Sequence, residues 1–153
     1  MKELLNSLVL AIKLIMGFEG CRLKAYKCPA GIWTIGWGET LGVKEGDAWT
    51  QERADATLRQ RVGQFLLATI QRCPQLHIAP AERLAACTSL AYNIGVGAFG
   101  ASSVCRKTAR REFSGAANSF LLWNKAGGKV LRGLMLRRAA ERLTYLTQSE
   151  GSS

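Results

Sequence analysis

The sequence predicts an α+β protein in which helices predominate. Three observations support this prediction: an apolar segment with helical spacing opens the chain, a short segment of alternating apolar and polar residues follows, and helical spacing then returns. A helix, a small sheet and then mostly helices is the order typical of an α+β fold. With 153 residues, of which 48% are hydrophobic, the chain suits one compact domain over residues 1–153.

The first helix and the sheet occupy the first third of the chain. The helix is expected to end near Phe18, with Gly20 as a left-handed cap. After it, apolar and polar residues alternate on both sides of the Pro-Ala-Gly sequence at 29–31, which is typical of a β-hairpin. In that hairpin, Cys28 and Thr34 would project from the same face.

Helices are predicted for the remainder of the chain. Thr50 is the N-cap candidate of a long helix over about 51–72, and Pro80 opens another helix. Shorter helices are predicted at about 103–111, 115–124 and 134–147.

The charge, the cysteines and the single histidine limit the partners, the compartment and the kinds of site that the chain can have. The formal net charge of +10 indicates an anionic partner such as nucleic acid, acidic lipid or a bacterial envelope polymer. Five cysteines without a CxxC pair indicate free thiols in a reducing compartment rather than a disulfide framework. A single histidine, His77, argues against a zinc site and against a nucleophile activated by imidazole. We therefore expect no metal.

The apolar start of the chain raises the question of a membrane segment. Residues 8–16 are apolar except for Lys13, and Asn6 and Ser7 also interrupt the run. A spanning helix needs about 20 apolar residues, so we predict an amphipathic helix of a soluble protein rather than a membrane tether. A membrane-inserting start is the alternative.

The last predicted helix contains the densest basic stretch of the chain. Its arginines, among them Arg137 and Arg138, would suit a nucleic-acid helix, but Glu141 follows these two at the spacing of intrahelical ion pairs. We therefore predict a packed helix with a salt-bridged side, and no nucleic-acid partner. The small and apolar residues are predicted to form its inward face: Leu136, Ala139, Ala140 and Leu143.

Glu19 is the main candidate for chemistry in the first third of the chain. It follows the apolar helix at its C-terminal end, where the helix dipole and apolar neighbours both disfavour a carboxylate anion. A carboxyl group that keeps its proton near neutral pH can act as a general acid. A solvent-facing glutamate at a helix end is the structural alternative.

Eight residues separate Glu19 from Cys28, and five separate Cys28 from Thr34. This spacing resembles that of the phage-type lysozymes, the endolysins of tailed phages (glycoside hydrolase family 24), whose second position is an aspartate or a cysteine. The similarity continues through residues 90–104 and 120–143, so it covers nearly the whole chain from about Leu8. One departure is Glu39, which stands where the family commonly has a histidine.

The resemblance implies a lysozyme-like fold and a muramidase activity. A β-containing lobe over about 12–50 and a helical lobe over about 73–147 would be joined by the helix at 51–72. Residues 1–11 would pack near the helical lobe, and residues 148–153 would form a tail. The substrate would be the β-1,4 bond between N-acetylmuramic acid and N-acetylglucosamine in peptidoglycan. A monomer without metal or organic cofactor would stay in the host cytoplasm until its release to the cell wall or periplasm, where it would lyse the host.

The same resemblance implies roles for individual residues. Glu19 would protonate the leaving glycosidic oxygen, and Cys28 would take the place of the second catalytic group. Thr34 would orient that group or the attacking water. Three further positions match residues that contact sugar in relatives: Thr40, Tyr92 and Ser102.

Cys28 leaves alternative functions open. Basic residues close in sequence, Arg22, Lys24 and Lys27, are expected to lower the pKa of its thiol, so that a thiolate could act as a carboxylate would. A lytic transglycosylase, which needs a single acid and leaves 1,6-anhydro ends, is the first alternative. The second is a catalytically inactive basic module that binds cell wall or nucleic acid.

Overall fold

The computed structural model describes residues 2–148, and within that range the element order is helix, small sheet and then mostly helices, as predicted. The predicted tail at 148–153 lies outside the described residues except for Gln148. The α-helices and strands are α1 Lys2–Phe18, β1 Arg22–Lys27, β2 Trp33–Gly36, α2 Gln51–Arg72, α3 Ala81–Ile94, α4 Val96–Gly100, α5 Ser103–Ala109, α6 Phe113–Ser119, β3 Lys125–Ala126, β4 Lys129–Val130 and α7 Arg132–Leu146. Short 3-10 helices cover Pro74–Ile78 and Phe120–Leu122.

The predicted hairpin forms from β1 and β2, which pair antiparallel with Tyr26 opposite Thr34. The turn is closed by two backbone hydrogen bonds: the Cys28 N–H donates to Ile32 O at 2.9 Å, and the Gly31 N–H donates to Cys28 O at 2.8 Å. Gly31 has a φ of +78°, a conformation that a glycine adopts without steric cost. The hairpin therefore places Cys28 opposite Ile32, the register that the alternation predicts.

Helix α2 begins as predicted, because the Thr50 side chain accepts a hydrogen bond from the Arg53 N–H at 3.1 Å. Its buried side, which includes Leu58 and Val62, packs with Ala11 and Ile15 of α1 in a small apolar cluster. A larger cluster surrounds α3, of which residues 82–91 are all buried. Helix α3 is therefore the central element of the helical part.

Two local predictions at helix ends are wrong. Gly20 does not adopt a left-handed conformation; instead the Glu19 N–H continues the helical pattern by donating to Ile15 O at 2.7 Å, and β1 begins at Arg22. The helix predicted at about 115–124 ends at Ser119, where the 3-10 helix Phe120–Leu122 leads into a second hairpin, β3–β4. The Gly127-Gly128 turn of that hairpin, with φ values of +58° and +78°, reverses the chain between its two strands.

The inward face predicted for α7 is also wrong. Leu136 and Leu143 are 54% and 67% exposed, whereas Arg137, Arg138 and Glu141 are buried. The predicted intrahelical ion pairs do form, but they face the core rather than solvent. The attraction among these three buried charged groups offsets part of the cost of removing them from water.

The cysteines and the apolar helix α1 were the remaining subjects of prediction. All five cysteines are free, and Cys87 and Cys105 are buried on helices as small apolar residues, as predicted. Of the helices in residues 2–148, none has the length and apolarity needed to cross a bilayer.

Candidate active site

A cavity of about 280 Å³, here called the Glu19 cavity, opens between the end of α1, the turn after β2, and helices α2 and α3. Two carboxylates, one arginine and two aromatic rings dominate its wall, and small polar residues complete it. The lining residues are Glu19, Gly38, Glu39, Thr40, Arg61, Phe65, Tyr92 and Asn93. This wall of charges, rings and hydrogen-bonding groups suits a polar ligand such as a sugar chain.

Glu19 enters this cavity from the end of α1 and is held by an arginine. The Arg137 Nη1 atom donates to Glu19 Oε1 at 3.0 Å, and the Glu19 side chain is 28% exposed while that of Arg137 is buried. The helix dipole and apolar neighbours were expected to act on this carboxylate, and the structure adds a cationic partner that the sequence did not predict. One carboxylate oxygen is engaged by Arg137, which fixes the orientation of the group toward the cavity.

Arg137 is itself fixed by a buried group of charges on α3 and α7. Its Nε atom lies 3.3 Å from Glu141 Oε2, which also accepts a hydrogen bond from the Ser89 hydroxyl at 2.6 Å. Arg138 approaches the same carboxylate, with its Nε atom 2.7 Å from Glu141 Oε1. Burial raises the pKa of Glu141, and the neighbouring Arg138, Ser89 and Arg137 oppose this shift. Burial also lowers the pKa of Arg138, to about 10.

Glu39, the residue that departs from the family pattern, forms an ion pair across the cavity. Its Oε2 atom lies 3.1 Å from Arg61 Nε on α2, and its Oε1 atom accepts the backbone N–H groups of Thr40 and Leu41 at 3.1 and 2.9 Å. Glu39 therefore links the turn after β2 to α2. It also places a second carboxylate on the wall that holds Glu19.

Gly38 allows the turn to approach Glu19 closely. Its φ is +91°, and a Cβ atom built there would lie 3.3 Å from Glu19 Oε2. Any other residue would be strained in this conformation and would press on the carboxylate.

Tyr92 is a further polar residue of the Glu19 cavity, and its hydroxyl donates to Trp37 O at 3.2 Å. Burial, and then the charges of Glu19 and Glu39, raise the pKa of Tyr92 to about 12, so Tyr92 is a neutral hydrogen-bonding group.

Cys28 and Thr34 lie together on the hairpin but do not line the Glu19 cavity. Hydrogen bonding by the backbone of Ile32, and to a lesser degree by Ala30 and by the Thr34 side chain, lowers the pKa of Cys28, while desolvation opposes this shift. The predicted direction is confirmed. The shared face is confirmed by the register, since Cys28 lies opposite Ile32 and Thr34 is two residues along the strand from Ile32.

The cause predicted for the low pKa of Cys28 is wrong. Neighbouring cations were expected to lower it, whereas hydrogen bonds of the turn do so. Two of these cations stack on aromatic rings instead: the guanidinium of Arg22 lies 4.2 Å from the Tyr26 ring centroid, and Lys27 Nζ lies 5.4 Å from that of Trp33.

The three predicted sugar-contacting residues have different positions. Thr40 and Tyr92 line the Glu19 cavity. Ser102 does not; it is buried at the start of α5, where its hydroxyl donates to Phe99 O and accepts the Cys105 N–H at 3.2 Å. In the structure Ser102 is a helix N-cap.

Sequence reasoning missed Arg61, Phe65 and the contact of Arg137 with Glu19. For Arg61 and Phe65 the sequence offered only their helical spacing, one turn apart on α2. For Arg137 the signal was its spacing from Glu141, which reveals a pair but not the face on which that pair lies. Within residues 2–148, no group of three or more His, Cys, Asp or Glu side chains is arranged to hold a metal ion.

Comparisons with known proteins agree with this geometry. The family model described as phage lysozyme matches residues 16–141. An endolysin of Acyrthosiphon pisum secondary endosymbiont phage 1 is 41% identical over 138 residues, 86% of this chain and 92% of that protein. An endolysin of Bacillus phage B103 is 37% identical over 139 residues, 89% of this chain, but the chain spans only 52% of that longer protein. Among solved structures, the muramidase domain of SpmX from Asticaccaulis excentricus superposes with a TM-score of 0.80 at 34% identity, covering 90% of this chain and 95% of the domain.

Proposed function

The chain belongs to the phage lysozyme family and is a glycosidase of the lysozyme type, and we propose that it hydrolyses the β-1,4 bond between N-acetylmuramic acid and N-acetylglucosamine in peptidoglycan. The observation that carries this proposal is the Glu19 carboxylate, which Arg137 holds at a polar cavity of about 280 Å³. A carboxyl group in such a cleft can protonate a glycosidic oxygen as the bond breaks. The biological outcome that we propose is lysis of the host cell and release of phage.

We assign Glu19 the role of general acid, which donates its proton to the leaving glycosidic oxygen. The Cys28 thiolate, favoured by the hydrogen bonds of its turn, supplies the negative charge that a second carboxylate would supply. That charge activates a water molecule or stabilises the positive charge on the sugar ring, and the neighbouring Thr34 orients it. We further propose that Thr40 and Tyr92 contact the sugar chain, because both line the Glu19 cavity.

We propose that the protein acts as a monomer built as one domain, with the hairpin lobe and the helical lobe joined by α2. Its basic charge of +10 suits the anionic cell wall. Before release it would remain in the host cytoplasm. Fractionation of expressing cells that lack a pore-forming partner checks this location: recovery in the membrane pellet, with extraction only by detergent, would contradict it.

Digestion of purified peptidoglycan followed by mass spectrometry of the soluble products tests the proposed reaction. Reducing muramic acid ends are expected, because water completes the cleavage of a hydrolase. Ends containing 1,6-anhydro rings would instead identify a lytic transglycosylase, in which Glu19 alone suffices as the acid. An absence of soluble products from the folded protein would contradict both enzymatic mechanisms.

A further inference from the structure

A second cavity, of about 330 Å³, lies in the helical part and shares no lining residue with the Glu19 cavity. It opens between the 3-10 helix Pro74–Ile78, the start of α3, and the connection from α5 to α6. We call it the Arg83 cavity. Its wall contains two arginines, Arg83 and Arg111, and no acidic residue, so it favours an anionic occupant.

Arg83 is a buried cation without a counterion in the part of the chain that the structure describes. The residue is 6% exposed, and its buried Nε atom has no hydrogen-bond partner within residues 2–148. Its guanidinium carbon lies 3.8 Å from the Phe113 ring centroid and 5.0 Å from that of Tyr145. Aromatic rings stabilise the cation but do not accept its N–H groups, and a buried donor without an acceptor is costly. An anion in this cavity would supply the counter-charge that the guanidinium lacks.

Arg111 places a second guanidinium at the same cavity from the turn that caps the end of α5. Its φ is +60°, and it is the only residue other than glycine with a positive φ among those described. The Arg111 N–H donates to Thr108 O at 3.0 Å, which closes the turn after α5. No ion pair of the described residues involves Arg111. Together with the Glu112 N–H, which donates to Lys107 O at 2.9 Å, the bond from Arg111 to Thr108 caps the C-terminal end of α5, where a left-handed residue is common.

The rest of the wall is apolar on one side. Phe113 lines the cavity beside Arg83, and Ile78 lines it at its edge although 81% of Ile78 is exposed. The two arginines and this apolar side together suit an end group that carries both a negative charge and a small apolar part. Two planar guanidinium groups match a carboxylate, and the apolar side matches a small aliphatic side chain.

We propose that the Arg83 cavity binds the C-terminal carboxylate of a wall peptide stem, with the methyl group of its terminal alanine against Phe113 and Ile78. This inference rests on the proposed function, because such stems accompany the glycan that the Glu19 cavity would cleave. The Arg83 cavity would hold the enzyme on peptide-bearing wall while the separate Glu19 cavity acts on sugar. Arg83 and Arg111 are thus binding residues of a second site.

Binding is tested by NMR titration of the full chain with N-acetyl-D-alanyl-D-alanine. We expect saturable shifts of the amides of Arg83, Thr108 and Phe113, and no shift at Glu19. The C-terminal amide of the same dipeptide, which lacks the negative charge, should bind at least about tenfold more weakly, since a hydrogen bond to a charged group is lost. Inorganic phosphate should bind more weakly than the dipeptide, because it has no group for the apolar side.

Variants of two neighbouring arginines provide a matched comparison. Arg111→Gln should weaken dipeptide binding by about tenfold, and Arg111→Lys should weaken it less. Arg110→Gln, at an exposed residue that does not line the cavity, should bind like the parent. Equal losses in the Arg110 and Arg111 variants, or no saturable shift in the parent, would overturn the site. Phosphate binding as tight as that of the dipeptide would overturn the assignment to a peptide carboxylate.

Activity on two substrates separates this inference from the proposed function. Arg111→Gln should cleave stem-free glycan chains at the parent rate and lose activity only on intact wall. A parent that cleaves glycan but does not bind the dipeptide would contradict this inference alone. A parent that binds the dipeptide but releases no reducing ends would contradict the proposed function and leave the second site in place.

Discussion

The two proposed catalytic groups, Glu19 and Cys28, are positioned by different kinds of structure. Glu19 depends on Arg137, a residue 118 positions away, which is fixed in turn by Glu141 and Ser89 in the buried space between α3 and α7. Cys28 depends on its own turn, since Ile32, Ala30 and Thr34 are the residues whose hydrogen bonds favour its thiolate. The position of the Glu19 carboxylate is thus set by tertiary packing, whereas the environment of the Cys28 thiol is set by local structure.

This difference predicts how each group responds to substitution. A change deep in the helical part should disturb the acid without touching the hairpin, because the buried ion pairs form one connected group. A change at Cys28 should alter chemistry with little effect on folding, because the thiol is half-exposed and outside the core.

Glu141→Gln should destabilise the fold by about 3–5 kcal/mol, because it leaves Arg137 and Arg138 buried without a carboxylate between them. Burial raises the pKa of Glu141, the direction expected when a charge is removed from water. Both arginines would nevertheless remain charged, so the lost attraction should exceed the gain from removing one buried charge. Denaturant unfolding of parent and variant measures the difference.

Arg142→Gln is the matched control for this substitution. Arg142 is on the same helix, but it is only partly buried, and its Nε atom donates to Asn118 Oδ1 at 2.9 Å rather than to an acid. Its replacement should cost no more than about 1 kcal/mol. Equal destabilisation by the two variants would mean that the buried ion pairs have no special role in holding the helical part together.

The contrast between local and tertiary structure also explains what the sequence could predict. The hairpin, its register, the Thr50 cap and the ion-pair spacing in α7 were all predictable, because each depends on neighbours within a few residues. The face of α7 was not, since periodicity assigns apolar residues inward, and here Arg138 and Glu141 are buried instead. The contact between Arg137 and Glu19 joins the ends of the chain, and no local pattern reports it.

Glu19→Gln tests the acid directly and should lower the rate of wall lysis by at least about 10²-fold, because an amide cannot donate a proton to the leaving oxygen. The fold should persist, since Gln preserves the shape of Glu and Glu19 lies at the cavity rather than in the core. Turbidity of a wall suspension measures lysis, and circular dichroism checks the fold. Glu52→Gln, at an exposed position of α2, is the control for the loss of one carboxylate. Lysis by a folded Glu19→Gln variant at more than a tenth of the parent rate would remove Glu19 from this role.

Cys28→Ala should lower lysis by about tenfold, less than the Glu19 variant, because electrostatic stabilisation by a half-exposed thiolate is screened by water. Cys28→Asp should remain active, since a carboxylate supplies the same charge. Neither variant should change the unfolding free energy by more than about 1 kcal/mol, because Cys28 lies outside the core. Parent-like lysis by Cys28→Ala would show that the thiol is not catalytic, and would favour the single-acid transglycosylase.

Alkylation of Cys28 provides an independent check in a background that lacks the other half-exposed thiol. In Cys21→Ala protein, a thiol-alkylating reagent should modify Cys28 selectively, because Cys73, Cys87 and Cys105 are buried. Lysis should fall by at least the loss of about tenfold expected for Cys28→Ala, because the same thiolate is removed. The same reagent should leave Cys21→Ala/Cys28→Asp protein active. Because the pKa of Cys28 is lowered, its alkylation should begin at a lower pH than that of an ordinary thiol, for which the pKa is about 8.5. Inactivation of the Asp variant would point to a thiol other than Cys28.

The smallest expected effect concerns the contact between the hairpin side and α2. Trp37 Nε1 and Gln51 Nε2 both donate to Asp55 Oδ1 at 2.8 Å, and these hydrogen bonds, first that of Trp37, lower the pKa of Asp55. A carboxyl whose pKa is lower in the folded than in the unfolded state stabilises the fold above its unfolded pKa, and this contribution is lost as the pH falls through the folded value. Asp55→Asn has no such titration, so its unfolding free energy should fall less than that of the parent between neutral pH and about pH 3. The difference should stay below about 1 kcal/mol, because Asp55 is accessible to water.

Urea unfolding across this pH range measures the difference between the parent and Asp55→Asn, with Glu52→Gln as the control on the same helix. Parallel pH curves for the parent and Asp55→Asn would mean that the Trp37 contact orders the turn without contributing to stability, and that the turn is held to α2 chiefly by the ion pair between Glu39 and Arg61.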